Sequence, residues 1–136
     1  MSPAPRPITA AETYLLRHTV LWPDKPIQYV QLPDDEQGFH YGTYLDGELV
    51  AVISLFINGN EARFRKFATR PDQQRKGLGT LLLQHIFTEA RRLGATTICC
   101  DARLSTAPFY QRFGMQPTGN VFYKGEIPYR RYDTRT

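Results

Sequence analysis

The 136-residue sequence lacks any apolar run near the roughly 20 residues that a membrane-spanning helix requires. Its first seven residues are rich in proline and contain no apolar segment of the kind that a secretory signal needs. We therefore expect a cytoplasmic protein with no membrane partner. Length and composition predict a disordered lead-in at residues 1–7 and a single domain at residues 8–136.

Cysteine is also scarce, with only Cys99 and Cys100, which are adjacent. Neighbouring side chains in an extended segment point to opposite faces, so a disulfide between the two is not expected. The chain has no C-x-x-C pair and no cluster of histidine and cysteine, so we expect no metal site. The pair is more typical of small apolar residues buried in a strand.

The basic residues do not form one continuous tract, although the net charge is +4. An excess of basic residues suits binding of nucleic acid or of any other polyanionic ligand. The positions of these residues in the sequence decide between the two. Several basic residues lie in or just before a glycine turn, namely Arg63, Arg65, Lys66, Arg70, Arg75 and Lys76. This distribution favours a local phosphate site, and we expect no nucleic-acid partner.

The N-terminal half predicts one helix followed by three strands. Thr9 and Glu12 form a potential capping box, and the helix they open ends before Trp22 and Pro23. Its candidate inward positions are Tyr14, Leu15, Val20 and Leu21. An acidic cluster at residues 34–36 is typical of a solvated loop. Segments 39–45, 48–57 and 61–69 predict an antiparallel meander, because turn residues separate them.

The C-terminal half changes to helical spacing. Leu78, Leu82, Ile86, Ala90 and Leu93 predict a long amphipathic helix that ends at Gly94. Segment 96–101 predicts a strand, 105–113 a short helix and 121–129 the last strand. The whole order indicates an α/β (α+β) fold, with a mixed, mostly antiparallel central sheet flanked by helices.

The stretch from Thr69 to Thr80 is the most informative, because a strand ends there and the long helix begins. A helix N-terminus exposes unpaired N–H groups and partial positive charge, which attract phosphates. Gly77 and Gly79 remove side chains that would keep an anion away. The spacings of a Walker-type loop and of a dinucleotide fingerprint are both absent. Taken alone, the two glycines also fit an ordinary helix start.

Three segments resemble the GNAT superfamily of N-acetyltransferases over roughly residues 8–130. Gln74-x-x-Gly77-x-Gly79 is similar to the Q/R-x-x-G-x-G/A signature of that family. Segment 109–115 resembles its F-Y-x-x-x-G-F motif, with Met115 in place of the usual Phe. Segment 125–129 is similar to the G-I-P-H strand of some members.

The resemblance implies acetyl-CoA as co-substrate. It implies that pantetheine pairs with the strand before the turn, and that the loop amides bind the pyrophosphate. Arg75 stands where many members have Gly, and its side chain could reach a phosphate. The implied cofactor-binding residues are Phe67, Ala68, Thr69, Gln74, Arg75, Lys76, Gly77, Leu78, Gly79, Thr80, Phe109 and Tyr110.

The resemblance also implies catalytic roles. Tyr110 matches the tyrosine that protonates the departing thiolate, although an aromatic residue there could simply pack the short helix. The backbone N–H of Ala68 or Thr69 is the candidate for polarising the thioester carbonyl. Some relatives place a glutamate eleven residues before the motif's Gln, where this chain has Arg63. Glu61, on the same strand face, is the remaining candidate base.

Glu48 and His40 are weaker candidates for the base, and water could relay the proton instead. Trp22 either packs against the core or lines an acceptor pocket. We predict acetyl transfer from acetyl-CoA to a primary amine of a small molecule or protein by direct attack. The alternative is a non-catalytic acyl-CoA-binding sensor or interaction module. A homodimer fits the resemblance, and the acceptor is left open.

Overall fold

The computed structural model describes residues 4–136, which form one seven-stranded sheet with helices on both faces. The sheet order is β1-β2-β3-β4-β5-β7-β6, and only β4 and β5 pair in parallel among the described strands. The strands are β1 (Arg6–Ile8), β2 (Phe39–Leu45), β3 (Glu48–Asn58), β4 (Glu61–Thr69), β5 (Thr97–Arg103), β6 (Gln116–Lys124) and β7 (Ile127–Arg135). The predicted mixed, mostly antiparallel sheet is confirmed.

Three α-helices and several shorter helical turns join the strands. The α-helices are α1 (Ala10–Leu16), α2 (Leu78–Arg92) and α3 (Ala107–Gln111). A π-helical turn, Arg17–Leu21, continues α1, and 3₁₀ turns cover Ile27–Val30, Asp35–Gln37, Pro71–Gln73 and Leu104–Thr106. Within the described part of the chain, no helix has the length and apolar character that crossing a bilayer requires.

The predicted capping box at the start of α1 is confirmed. The Glu12 amide donates to Thr9 Oγ1 at 3.2 Å, and the Thr9 amide donates to Glu12 Oε1 at 2.9 Å. The predicted inward face is partly wrong, because Leu15 is 66% exposed. Thr13, Leu16 and Arg17 turn inward instead, at the i, i+3 and i+4 positions that share one helix face.

Residues 6 and 7, which we expected within a disordered lead-in, belong to β1. Arg6 pairs with Gly42 and Pro7 with Tyr41 at the edge of the sheet. The Arg6 guanidinium also lies 3.9 Å from the centre of the Tyr44 ring. An edge position tolerates proline, because only one side of the strand needs its N–H groups. Residues 1–3 of the predicted lead-in lie outside the described residues.

The single last strand predicted at residues 121–129 is wrong. Two strands, β6 and β7, form a hairpin whose turn contains Gly125 in the left-handed region, at φ +62°. β7 lies between β5 and β6, so the chain's last strand is inside the sheet. The residues around Gly125 have the local pattern of a strand. The reversal of the chain at Gly125 depends on the pairing of β6 with β7, which this local pattern does not contain.

The apolar face of α2 packs on the sheet to form the main core. Leu78, Leu82, Ile86 and Ala90 are buried as the helical spacing predicts. Leu82, Ile86 and Ala90 share one buried cluster with side chains of the central strands, including Ile53, Leu55, Phe64 and Ile98. Cys99 and Cys100 are buried thiols in β5, as predicted.

A buried ionic cluster, the Arg17 network, lies on the other face of the sheet. Arg17 donates from both Nη atoms to the Asp35 carboxylate, each at 2.8 Å, and also to Ser54 Oγ at 2.9 Å. The Val30 carbonyl accepts a further bond from Arg17 at 2.9 Å. Asp35 was expected in a solvated loop, and its burial follows from this bidentate partner.

Candidate active site

The site begins where β4 and β5 separate. The two strands pair only through Glu61–Arg63 with Thr97–Cys99, whereas β4 continues to Thr69 and β5 to Arg103. The remaining length of each strand therefore has no partner on its inner edge. This divergence opens a wedge in the middle of the sheet.

A β-bulge in β4 contributes to the divergence. Val52 of β3 faces Ala68 and Ser54 faces Arg65, so β4 contains one extra residue over this interval. Lys66, inside the bulge, has φ +54°, which is uncommon for a residue with a Cβ. Such a bulge bends the strand and re-aims its side chains. It therefore bends β4 within the stretch that no longer pairs with β5.

The open edge of β4 presents backbone groups to the wedge. The Arg70 amide donates to the Val50 carbonyl of β3 at 2.8 Å, so it faces away from the wedge. Because backbone groups alternate along a strand, the amides of Phe67 and Thr69 face the wedge and that of Ala68 faces β3. This geometry favours Thr69 over Ala68 among the two amides predicted to polarise a carbonyl.

The start of α2 provides a second set of free amides. Gly77 is its N-cap in the left-handed region, at φ +84°, and has no side chain to cap the helix. The Leu81 amide makes the first helical bond, to the Gly77 carbonyl at 3.1 Å. The amides of Leu78, Gly79 and Thr80 thus lack helical partners and point outward with the positive end of the helix dipole.

Gln74 and Gly79 hold the loop close to β4. The Gln74 Nε2 donates to the Thr69 carbonyl at 3.0 Å, which ties the loop to the end of the strand. A Cβ at Gly79 would lie 3.3 Å from the Phe67 ring, so the close approach of helix and strand depends on glycine there. The predicted signature residues therefore also shape the loop.

The expected positive charge around the turn is only partly available to a ligand. Arg70 is paired with Asp72 at 2.6 Å and with Glu48 at 3.1 Å. Lys76 donates to the Gln73 side chain at 3.2 Å. Arg75 lines the cleft and is exposed. Its backbone adopts the left-handed conformation, with φ +64°.

These elements enclose a cleft of about 900 Å³. Ten of the predicted binding residues line it: Phe67, Ala68, Thr69, Gln74, Arg75, Gly77, Gly79, Thr80, Phe109 and Tyr110. Leu78 and Lys76 do not line it, because Leu78 is buried in the core and Lys76 lies on the outside of the loop. The glycine turn and the start of α3 thus meet in one site.

Tyr110 lies at the inner wall of this cleft. It is 8% exposed, and its ring contacts Phe64, Phe109 and Tyr132 at centroid distances of 5.8, 5.3 and 6.3 Å. Burial raises the pKa of the Tyr110 phenol, so the group stays protonated at neutral pH. Its hydroxyl has no hydrogen-bond partner within residues 4–136. Tyr110 therefore brings a protonated phenol without an intramolecular partner into the lining of the cleft.

A second, smaller cavity of about 120 Å³ adjoins the cleft. Leu21, Phe67, Arg103, Thr106 and Tyr110 line both spaces, so Tyr110 belongs to the wall that the two share. Trp22 and Tyr129 add aromatic walls to the smaller cavity. The location of Trp22 agrees with the alternative that it lines an acceptor pocket.

The structure places Glu61 away from both spaces. It stands at the first residue of β4, whereas the wedge lies at the other end of the strand. Its Oε2 is 2.9 Å from Arg131 Nη2, and this hydrogen bond holds the pKa of the Glu61 carboxyl below its usual range. A paired carboxylate of lowered pKa is a poor proton acceptor.

The other two candidate bases also lie outside the cleft. His40 is buried, with Nδ1 2.7 Å from Ser54 Oγ and Nε2 2.8 Å from the Asp35 carbonyl. Glu48 is paired with Arg70. The carboxylate that does line the smaller cavity is Asp101, whose Oδ2 is 2.9 Å from Arg63 Nη1. Sequence reasoning missed Asp101, since no local motif marks it.

Comparison with known proteins agrees with this geometry. The model of the acetyltransferase (GNAT) family matches residues 9–115. The chain is 27% identical over 124 residues to the uncharacterized N-acetyltransferase YitI of Bacillus subtilis (strain 168), covering 85% of this chain and 83% of that protein. It is 29% identical over 90 residues to the [ribosomal protein bS18]-alanine N-acetyltransferase of Escherichia coli (strain K12), covering 66% of this chain and 59% of that enzyme.

A solved Bacillus subtilis acetyltransferase in complex with CoA has the same fold. The match has a TM-score of 0.75 at 21% identity and covers 98% of each chain. The family match and the N-acetyltransferase relatives place the chain among the acyl-group transferases. The chain belongs to the GNAT family of acetyltransferases. The predicted family and the predicted N-acetyltransferase class are confirmed.

Proposed function

We propose that this protein transfers the acetyl group of acetyl-CoA to a primary amine by direct attack on the thioester. The observation that carries the proposal is the meeting of two sets of free amides in one cleft, at the β4 edge and at the start of α2. One set suits an extended amide-bearing chain, and the other suits a diphosphate. Acetyl-CoA contains both parts.

The residues of the cleft fit this co-substrate. The open edge at Phe67 and Thr69 would pair with pantetheine as an added strand. The amides of Leu78, Gly79 and Thr80 would receive the pyrophosphate, and Arg75 stands where its side chain can reach a phosphate oxygen. The thioester would then lie between Thr69 and Tyr110, where the cleft meets the smaller cavity.

The chemistry follows from that position. A neutral amine attacks the carbonyl carbon, forming a C–N bond, while the Thr69 amide donates to the developing oxyanion. As the C–S bond breaks, Tyr110 gives its proton to the leaving sulfur. The proton lost from the amine nitrogen passes to water and restores the Tyr110 phenol. The products are an N-acetyl amide and free CoA thiol.

An acyl-CoA-binding module without activity is the second candidate. The observation that favours it is that Glu61, His40 and Glu48 all lie away from the cleft. The two candidates share the cofactor site and differ only in turnover. Release of free thiol from acetyl-CoA in the presence of an amine panel separates them, because the module alone would release none.

The placement of the pyrophosphate is tested by Gly77→Asp. A carboxylate at the N-cap would cap the free amides and repel the phosphates, so we expect acetyl-CoA affinity to fall at least about tenfold in a calorimetric titration. Gly47→Asp is the matched control. Gly47 has a similar φ of +81° and open space around its Cβ position, but it lies in the β2–β3 turn.

The control should cost similar backbone strain and leave the affinity for acetyl-CoA unchanged. Full affinity in Gly77→Asp would show that the phosphates bind elsewhere. Equal losses in both variants would trace the effect to backbone strain and would equally contradict the placement.

A further inference from the structure

The smaller cavity has an unusual charge composition. Four cationic side chains line it, from Arg65, Lys66, Arg103 and Lys124, against the single carboxylate of Asp101. Asp101 is already paired with Arg63, which lies outside the lining. Arg65 is paired with Asp34, at 3.3 Å. The remaining three cations, Lys66, Arg103 and Lys124, have no carboxylate within 4 Å in the described part of the chain.

Neutral groups hold two of these three cations in place. Arg103 donates from Nε to the Tyr129 hydroxyl at 3.2 Å and from Nη2 to the Leu21 carbonyl at 3.0 Å. Its guanidinium carbon lies 5.4 Å from the centre of the Trp22 ring. Lys124 Nζ lies 4.5 Å from the centre of the Tyr129 ring. These contacts orient the side chains without compensating their charge.

The third cation, Lys66, is half-buried within the β4 bulge. Burial, with the nearby charge of Lys124, lowers the pKa of the Lys66 ammonium to about 8. Like charges gathered in a partly desolvated cavity repel one another. An anion that entered the cavity would relieve this repulsion.

We propose that the acetyl acceptor carries an anionic group, carboxylate or phosphate, that binds to Lys66, Arg103 and Lys124. This inference rests on the proposed acetyl transfer, since it places the acceptor beside the thioester. Its amine would point to Tyr110, where the cavity meets the cleft, and its carbon skeleton would lie between Trp22 and Tyr129. The volume of about 120 Å³ suits a small molecule of amino-acid size.

Trp22 supplies the readout, because it is the only tryptophan of the sequence and lines the cavity. The CoA-saturated protein is titrated with N-acetylated product analogues in matched pairs while Trp22 fluorescence is recorded. One pair is N-acetylalanine and its primary amide. The other is N-acetyl-O-phosphoethanolamine and N-acetylethanolamine. A larger preference for the anionic member in the first pair indicates a carboxylate, and a larger preference in the second pair indicates a phosphate.

We expect the anionic member of at least one pair to bind about tenfold or more tightly than its neutral partner. In Lys124→Gln this preference should fall below about threefold, and in Lys66→Gln it should fall as well. Arg91→Gln is the control, because Arg91 is an exposed cation on α2 with no contact to the cavity. It should keep the full preference.

Equal binding of the anionic and neutral members, or no binding of any analogue, would overturn the anionic acceptor. Calorimetric titration of the same protein with acetyl-CoA separates this failure from that of the proposed function. Normal acetyl-CoA affinity and thiol release with a neutral or cationic amine would leave acetyl transfer standing. Absence of acetyl-CoA binding would contradict the proposed function itself.

Discussion

Tyr110 fits both interpretations that the sequence left open, packing of the short helix and donation of a proton. Its ring packs among Phe64, Phe109 and Tyr132, as the packing interpretation requires. Its hydroxyl has no partner among the described residues and lies on the wall shared by the two spaces. Packing therefore orients the ring, and the unpaired hydroxyl is left for a ligand.

Replacement of Tyr110 by Phe tests the second role alone. We expect turnover at saturating acetyl-CoA to fall by roughly 10²-fold, the usual contribution of a positioned acid. The free energy of unfolding should change by less than about 1 kcal/mol, because the lost hydroxyl makes no intramolecular hydrogen bond. Steady-state thiol release and urea unfolding measure the two quantities.

Tyr123→Phe is the matched control, since Tyr123 is 66% exposed on β6 and lines neither space. It should keep both turnover and stability. An unchanged turnover number in Tyr110→Phe would exclude Tyr110 from proton transfer.

At the scale of elements, the Arg17 network joins parts of the fold that are distant in sequence. It links the π-helical turn to the Asp35–Gln37 turn and to Ser54 of β3. The same π-helical turn supplies Leu21, which lines both spaces of the site. The network therefore holds one wall of the candidate site against the sheet.

Replacement of Arg17 by Met should destabilise the protein by about 3–5 kcal/mol, because it leaves the Asp35 carboxylate buried without its partner. The two side chains are only 0% and 4% exposed, so water cannot replace the lost contact. Urea unfolding measures the effect. The double variant Arg17→Met, Asp35→Leu should recover a large part of the loss, since no buried charge remains.

Arg92→Met provides the control at a pair whose cation is exposed. Arg92 is 61% exposed and lies 2.8 Å from Glu89 on the surface of α2. Surface pairs of this kind contribute about 1 kcal/mol or less. Equal destabilisation by Arg17→Met and Arg92→Met would contradict a structural role for the buried network.

At the scale of the whole molecule, the buried Cys99 thiol should make stability depend on pH. Burial raises the pKa of Cys99 from 9.0 to about 11. Above pH 9 the thiol of the unfolded chain loses its proton while the folded one keeps it. The unfolded state thus binds fewer protons, and stability falls as pH rises from 9 towards 11.

Cys99→Ala should remove this part of the pH dependence. Between pH 9 and pH 11 the wild type should lose up to about 2 kcal/mol more stability than the variant, measured by urea unfolding with a reducing agent. The comparison is between slopes, so the constant packing effect of the lost sulfur cancels. Tyr123→Phe should keep the wild-type slope, and identical slopes in wild type and Cys99→Ala would contradict the buried thiol.

Several elements were predictable because their signals are local. Each of the following depends on residues that are close together in the sequence: the capping box of α1, the turn at Gly47, the β2–β4 meander and the apolar stripe of α2. The β1 edge strand and the β6–β7 hairpin were missed or misplaced. Their existence depends on pairing with strands far away in the sequence, which local propensity does not contain.

The sequence by itself determined the family resemblance, the glycine turn, the long helix that it opens and the choice of Tyr110 as the candidate proton donor. Each of these rests on the spacing of residues that are close together in the sequence, so it can be read without knowing the fold. Only the tertiary structure decided that Glu61 lies away from the site, and that Lys66, Arg103 and Lys124 come together from β4, β5 and β6. Strand order, the β4 bulge and the divergence of β4 from β5 set these positions, and all three arise from long-range pairing in the sheet.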